Sequence, residues 1–166
     1  MSENKISRIR KFIILIISIA IPLAVGGFSA LLMPNMKALY GTLKKPWFSP
    51  SGFVFPIVWT ILYILMGIAS YLVYIKKYEG VDVSSAIFVY SIQLILNLLW
   101  SFLFFGFQLY GISFIELVIL FIFVLVTCKR FYKKAGKKPA LLLLPYVLWL
   151  IYAGILNYFI WMLNEM

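Results

Sequence analysis

Histidine is absent from the 166-residue sequence, and cysteine occurs once, as Cys128. The missing imidazole removes the commonest metal and haem ligand, and a lone thiol closes no internal disulfide. Acids are also scarce: five Asp+Glu stand against 15 Lys+Arg, and charged residues make up only 12% of the chain. A soluble domain carries about 25% charged residues, so there are too few here to coat a water-facing surface. There is no pair of carboxylates, no Ser/His/Asp or Cys/His set, no glycine-rich phosphate loop and no cluster with metal-ligand spacing. Hydrolytic, phosphoryl-transfer and zinc chemistry therefore lack their residues, and no metal site is expected. What the chain does have is apolar: 64% hydrophobic residues, 19% aromatic, and a mean hydropathy of +1.04. This is the composition of an all-α membrane protein, and the length leaves room for about five or six spans of some 20 residues each, with no large soluble domain.

The formal charge of +10 would point to nucleic acid in a soluble chain. Here the basic residues lie at the N-terminus or between apolar runs, where they meet anionic lipid headgroups, and no nucleic-acid partner is expected. Five stretches, 12–33, 53–75, 86–107, 111–131 and 140–163, are free or nearly free of charge, the fourth up to Cys128. Each reads as a spanning helix, which predicts a five-helix bundle forming a single transmembrane domain. The first run follows Lys5, Arg8, Arg10 and Lys11 and so resembles a secretory signal. It continues past Ala20 and Ala24 to Met33, longer than the apolar region of about 7–15 residues that a signal has, and reads as a retained helix.

Placing the N-terminus inside puts 12 of the 15 Lys+Arg on the cytoplasmic side. The positive-inside rule therefore predicts a cytoplasmic N-terminus and an external C-terminus, and lysine-rich loops fit the cytoplasmic membrane of a prokaryote. Lys37, Lys44 and Lys45 are the outer exceptions.

Those three lysines belong to a segment, Pro34 to Pro56, that holds four of the seven prolines together with Gly41 and Gly52. Proline fixes φ and removes a donor, so the loop 34–52 is not expected to be one continuous helix. Its aromatics, Tyr40, Trp47, Phe48, Phe53 and Phe55, fit two roles equally well: a belt at headgroup level, or a lid over a cavity.

A polar group in lipid is costly unless satisfied, so polar residues within spans face the bundle interior. Gln93, Asn97 and Trp100 share one face of the third span, and Trp59, Tyr63, Met66 and Ser70 share one face of the second. In the fifth, Trp149, Ala153 and Leu156 form a stripe, with Asn157, Tyr158, Trp161 and Asn164 close by. One reading is helix–helix adhesion through Asn and Gln. The other is a small-molecule pocket with aromatic walls and a few polar groups. Trp161, at a span end, reads as an anchor. Gly26 and Ala30 have the small-xxx-small spacing that lets helices approach closely. Glu116 is the one acid within a span; its position near the span's end predicts a head in water or paired to a polar neighbour, against the alternative of a proton relay.

The stretch YGTLKKPWFSPSGFVFPIVWTILYILMGIASYLVY, followed by YSIQLILNLLWSFLFFG and PYVLWLIYAGILNYFIW, resembles the signature of the translocator protein family. Its members are also called tryptophan-rich sensory proteins and were formerly the peripheral-type benzodiazepine receptor. The resemblance runs from Tyr40 to Trp161. It implies a five-helix bundle, often a homodimer, whose cavity is closed by the first loop on the side opposite the N-terminus. It also implies an integral membrane binding or sensory protein for planar hydrophobic ligands, most simply a tetrapyrrole such as protoporphyrin IX, with transport of that ligand as an extension of the role. Isoquinoline and benzodiazepine-type drugs are further ligands of the family, and no cofactor is required.

Carried over, the ligand-binding residues are Trp59, Tyr63, Asn97, Trp100, Trp149, Ala153 and Leu156, and the lid residues are Tyr40, Lys44, Lys45, Trp47 and Phe48. In this picture Lys44 and Lys45 meet the propionates. The alternative is a light-dependent porphyrin-degrading enzyme using Trp59 and Trp149, and a further one is a small proton-coupled exporter using Glu116. The sequence departs from the family's cholesterol pattern, because Leu156 and Tyr158 are followed by Trp161, Met162 and Leu163 with no basic residue. Trp47 also falls one position earlier than in many relatives.

Overall fold

The computed structural model describes residues 6–166, which form helices and contain no strand. Lys5, counted above among the inner charges, lies outside the described residues. Helix α1 (Arg8–Leu32) begins ahead of the apolar run because Ser7 caps it, its Oγ accepting the Arg10 N–H at 3.2 Å. A short α2 (Met36–Thr42) interrupts the proline-rich loop. Helix α3 (Val54–Tyr74) tightens into a 3₁₀ turn over Ile75–Glu79 that ends at Gly80, where φ is 82°. Helix α4 (Ser84–Ser101) widens into a π-helical segment, Phe102–Gly106, before a turn leads into α5 (Tyr110–Ala135).

Five stretches are long and apolar enough to cross a membrane, as expected, but two differ in detail. Helix α5 runs past residue 131 to Ala135, since Lys133 and Lys134 in its last turn complement the helix dipole and Gly136 ends it at φ 81°. The fifth stretch, expected to be one helix over 140–163, is α6 (Lys137–Leu142) followed by α7 (Leu144–Asn164). Pro145 explains the break: it has no N–H for the Leu141 carbonyl, and its ring crowds that carbonyl.

Helices α3, α4, α5 and α7 enclose a core that includes Met66, Tyr90, Leu120, Phe131, Tyr146 and Leu150. Helix α1 lies against α3 and leaves Phe12, Ile13, Ile16 and Ile17 exposed, the side expected to face lipid. The approach of α1 to α3 depends on Gly67, where a Cβ would collide with the Ile19 backbone and the Ser18 carbonyl. The small-xxx-small spacing of Gly26 and Ala30 was the expected place for a close helix approach. Gly26 instead makes room for the Tyr63 ring.

One end of the bundle gathers the α1 N-terminus, the α3–α4 turn and the α5–α6 junction. There the Arg10 guanidinium sits over the Tyr78 ring at 5.7 Å, and Arg130 donates to the Ser85 carbonyl at 3.1 Å. The other end gathers the 33–53 loop, the α4–α5 turn and the end of α7. Asn164 holds the loop in both directions, its Oδ1 accepting from Lys44 N–H at 3.0 Å and its Nδ2 donating to the Lys44 carbonyl at 2.9 Å. Glu165 accepts from the Tyr110 and Gly111 N–H groups at 2.7 and 2.9 Å, satisfying two donors that the start of α5 leaves free. Replacing Asn164 by alanine is expected to speed tryptic cleavage after Lys44 and to cost about 1 kcal/mol. An unchanged cleavage rate would show that Phe48 and Tyr152 hold the loop without it.

Candidate functional site

A cavity of about 600 Å³ lies between α1, α2, α3 and the C-terminal end of α4. From α1 come Leu23, Gly26, Gly27, Ser29 and Ala30; from α3 come Phe55, Trp59, Thr60 and Tyr63. Trp100, Ser101 and Phe105 form the wall contributed by α4, and Met33, Lys37, Tyr40 and Gly52 border the loop end. The walls are apolar and aromatic with a few polar groups, and the volume is within the range of about 300–1,000 Å³ typical of ligand sites.

Hydrogen bonds between helices fix the aromatic walls. Trp59 stacks on Tyr63 with ring centroids 5.4 Å apart. The Tyr63 hydroxyl donates to Asn97 Oδ1 at 3.3 Å, and Asn97 Nδ2 donates to the Tyr146 hydroxyl at 2.6 Å, so α3, α4 and α7 share one polar chain. Trp100 Nε1 donates to Asn157 Oδ1 at 3.0 Å, which also accepts from Ser113 Oγ at 3.1 Å, while Asn157 Nδ2 donates to the Tyr110 carbonyl at 2.8 Å. Asn157 thus joins α4, α5 and α7 and sets the angle of the Trp100 ring. Asn97 and Asn157 thus make the cross-helix bonds expected of polar residues in spans, at about 0.6–2 kcal/mol each, whereas Gln93, also buried, has no hydrogen-bond partner among the described residues.

The structure brings Trp59, Tyr63, Trp100 and Tyr40 onto the cavity. Asn97 is 2% exposed and stands behind Tyr63 rather than on the wall. Ala153 and Leu156 border a crevice of only about 10 Å³ with Tyr40, Phe55 and Trp100. Tyr40 and Phe55, in edge contact at 5.0 Å, fill the space between that crevice and the cavity. Trp149 belongs to a separate groove with Val58, Leu62, Leu148 and Tyr152, its ring meeting Phe55 at 5.9 Å. The inward stripe of α7 is Tyr146, Leu150, Ala153, Asn157 and Ile160, which leaves Trp149 at its edge.

The loop aromatics divide: Tyr40, Phe53 and Phe55 border the cavity, whereas Trp47 and Phe48 do not. Tyr40 is buried, its hydroxyl donating to the Pro50 carbonyl at 3.1 Å, and burial pushes its phenol above the ordinary value. Trp47 is 95% exposed. Phe48 packs on Phe159 and Tyr152, and the Tyr152 hydroxyl donates to its carbonyl at 3.0 Å. Lys45 Nζ donates to the carbonyls of Tyr40, Leu43 and Gly41 at 2.5, 3.0 and 3.3 Å, closing the end of α2. Lys44, Lys45, Trp47 and Phe48 do not line the cavity.

Glu116 departs from the expected solvated or paired head. It is 6% exposed, and neither carboxylate oxygen has a hydrogen-bond partner among the described residues. The reason is its register on α5, where it shares the inward face with Ser113 and Leu120 rather than facing out near the helix start. It does not line the cavity.

Sequence reasoning did not find the α1 wall, Lys37 or Phe105 as cavity residues, and it had Phe55 only among the loop aromatics of the belt-or-lid reading. Adjacent glycines, Gly26–Gly27, were the available signal for α1. The period of α4 hid Phe105, because the helix changes pitch there.

A bundle of five apolar helices, with an aromatic-walled cavity between α1, α3 and the end of α4, defines an integral membrane protein of the small helical-bundle class. Residues 18–162 match the TspO/MBR family, and the chain belongs to that family. It is similar to Tryptophan-rich protein TspO of Chlorobaculum tepidum, with 36% identity over 156 residues, covering 93% of this chain and 98% of that protein. Tryptophan-rich protein TspO of Archaeoglobus fulgidus is 36% identical over 151 residues, 90% of this chain and 96% of that one. The similarity extends to animals: Translocator protein of Ovis aries is 33% identical over 128 residues, 76% of this chain and 75% of that protein.

Proposed function

We propose that this membrane protein binds a planar hydrophobic ligand, most simply a tetrapyrrole such as protoporphyrin IX, in the cavity between α1, α3 and the end of α4. The observation that carries the reading is the cavity itself: about 600 Å³, apolar, and bordered by the Trp59 and Trp100 rings. A flat ring system stacks on such faces, and the chain's lack of histidine means that metal-free porphyrin is accepted at least as well as haem. The protein sits in a prokaryotic cytoplasmic membrane with its basic end inside and the loop outside, in accord with the distribution of lysine and arginine.

Dark titration of the purified protein with protoporphyrin IX, followed by tryptophan fluorescence, tests this. Saturable one-site quenching is expected, mostly lost in Trp59→Phe/Trp100→Phe and kept in Trp149→Phe. Equal quenching in all three proteins, or quenching that never saturates, would sink the proposal.

A second reading, light-dependent breakdown of the bound porphyrin, is favoured by the stacked Trp59–Tyr63 pair, an oxidisable couple at the cavity whose phenol already donates to Asn97. It requires that illumination give a photoproduct with the parent and none with Trp59→Phe, while dark binding persists.

A further inference from the structure

Among the residues bordering the cavity only Lys37 carries a charge. We propose that Lys37 anchors an anionic group on the ligand, so that the site takes amphipathic acids, an apolar ring body with a carboxylate at its edge, in preference to a neutral ring of the same shape. This rests on the reading of the cavity as the ligand site.

Three observations support it. The other lysines of the loop do not border the cavity: Lys45 Nζ bonds three carbonyls and lies over the Tyr40 ring at 4.7 Å, and the Lys44 backbone is held to Asn164. The Lys37 stem lies beside Gly52 at the cavity border, where a Cβ would stand in van der Waals contact with Lys37 Cγ at 3.4 Å. No acid among the described residues offsets its charge. Glu165, at the same end, accepts from the Tyr110 and Gly111 amides; Glu116 is buried off the cavity; and Glu79 and Asp82 stand at the opposite end of the bundle. A lysine so placed lays its methylenes on the apolar wall and keeps its ammonium at the mouth, where a carboxylate forms a charge-assisted hydrogen bond. The ligand's apolar body then points inward along α1 and α3, with its acid edge toward the loop.

The test compares protoporphyrin IX with its dimethyl ester, which keeps the macrocycle and removes the charges, in nanodiscs of zwitterionic phosphatidylcholine. Lys37 is exposed, and the parent is expected to favour the acid by about fivefold, the upper end for an exposed ion pair. Lys37→Gln should bring the acid down to the ester's affinity and leave the ester unchanged. Lys37→Arg should restore the preference, and Lys44→Gln should keep it. Adding phosphatidylglycerol gives a second arm: weakening of the acid in the parent alone would show a lipid phosphate competing for the same ammonium. Undiminished acid binding by Lys37→Gln, or equal losses for acid and ester, would overturn the proposal while the cavity reading stands. If neither probe saturates in any variant, the cavity reading falls and this inference falls with it.

Discussion

Replacing Gly67 with leucine is expected to push α1 away from α3 and to abolish the cavity. A Cβ at this position would overlap the Ile19 backbone and the Ser18 carbonyl. Backbone cannot swing aside as a side-chain tip can, so the two helices must part. Overpacking a tight contact costs about 1–3 kcal/mol and occasionally more, and a backbone collision belongs at the upper end. The loss would reach function directly, because α1 forms one whole wall of the cavity and α3 the opposite one. A large fall in thermal midpoint together with lost saturable quenching of Trp59 and Trp100 is the expected outcome, with Gly67→Ala showing the same effect on a smaller scale. A leucine variant with the parent's midpoint would mean that the helices do not approach this closely in the membrane.

Gly27→Phe should do the reverse, removing binding while sparing the fold. Gly27 lines the cavity, and a Cβ there would meet nothing within 4 Å. Gly27 is exposed at the cavity border, so a phenyl ring there enters open space rather than displacing a neighbour. It competes with any planar ligand for the same space, and a loss of about 30-fold in affinity is expected, equivalent to about 2 kcal/mol. The thermal midpoint should hold or rise, since a filled apolar void gains contacts. The comparison with Gly26 is internal: one residue earlier, a Cβ would strike the Tyr63 ring, so Gly26→Phe should also lower stability by disturbing the Tyr63–Asn97 bond. Binding retained at parental affinity in Gly27→Phe would place the ligand elsewhere, with the groove at Trp149 the next place to examine.

The contrast between these two glycines also marks how far the sequence could be read. Spans were legible because lipid demands long runs of apolar residues, and the polar stripes of α3 and α4 were legible because so few polar residues interrupt them. Tyr63, Asn97 and Trp100 stood out for that reason, and the structure joins Tyr63 to Asn97 and brings Tyr63 and Trp100 to the cavity. Helix α1 gave no such signal: apolar on every side, it does not declare which face meets protein and which meets lipid. The spacing of Trp149, Ala153 and Leu156 likewise defines a stripe without fixing its direction, and one step of rotation about α7 separates Trp149 from the inward line through Tyr146 and Leu150. Lys37 was counted as a loop charge because its relation to the cavity depends on the course of the loop, which prolines and glycines direct without any periodicity.

The π-helical segment at Phe102–Gly106 has a different kind of consequence. Its wider turn, with Phe107 N–H reaching back to the Phe102 carbonyl at 2.8 Å, gathers Phe104 and Phe105 beneath Trp100 at 5.0 and 5.9 Å. A regular α-helix would carry those two neighbours about 100° apart and turn one of them away. The segment therefore behaves like a one-residue insertion stored inside a helix. Deleting a single residue from it would leave hydropathy, span length and charge balance almost untouched, yet it would unwind the register of every position up to the α5 start and withdraw Phe105 from the wall. Between related chains, a gap of one residue here would matter more to the shape of the cavity than many substitutions along the spans.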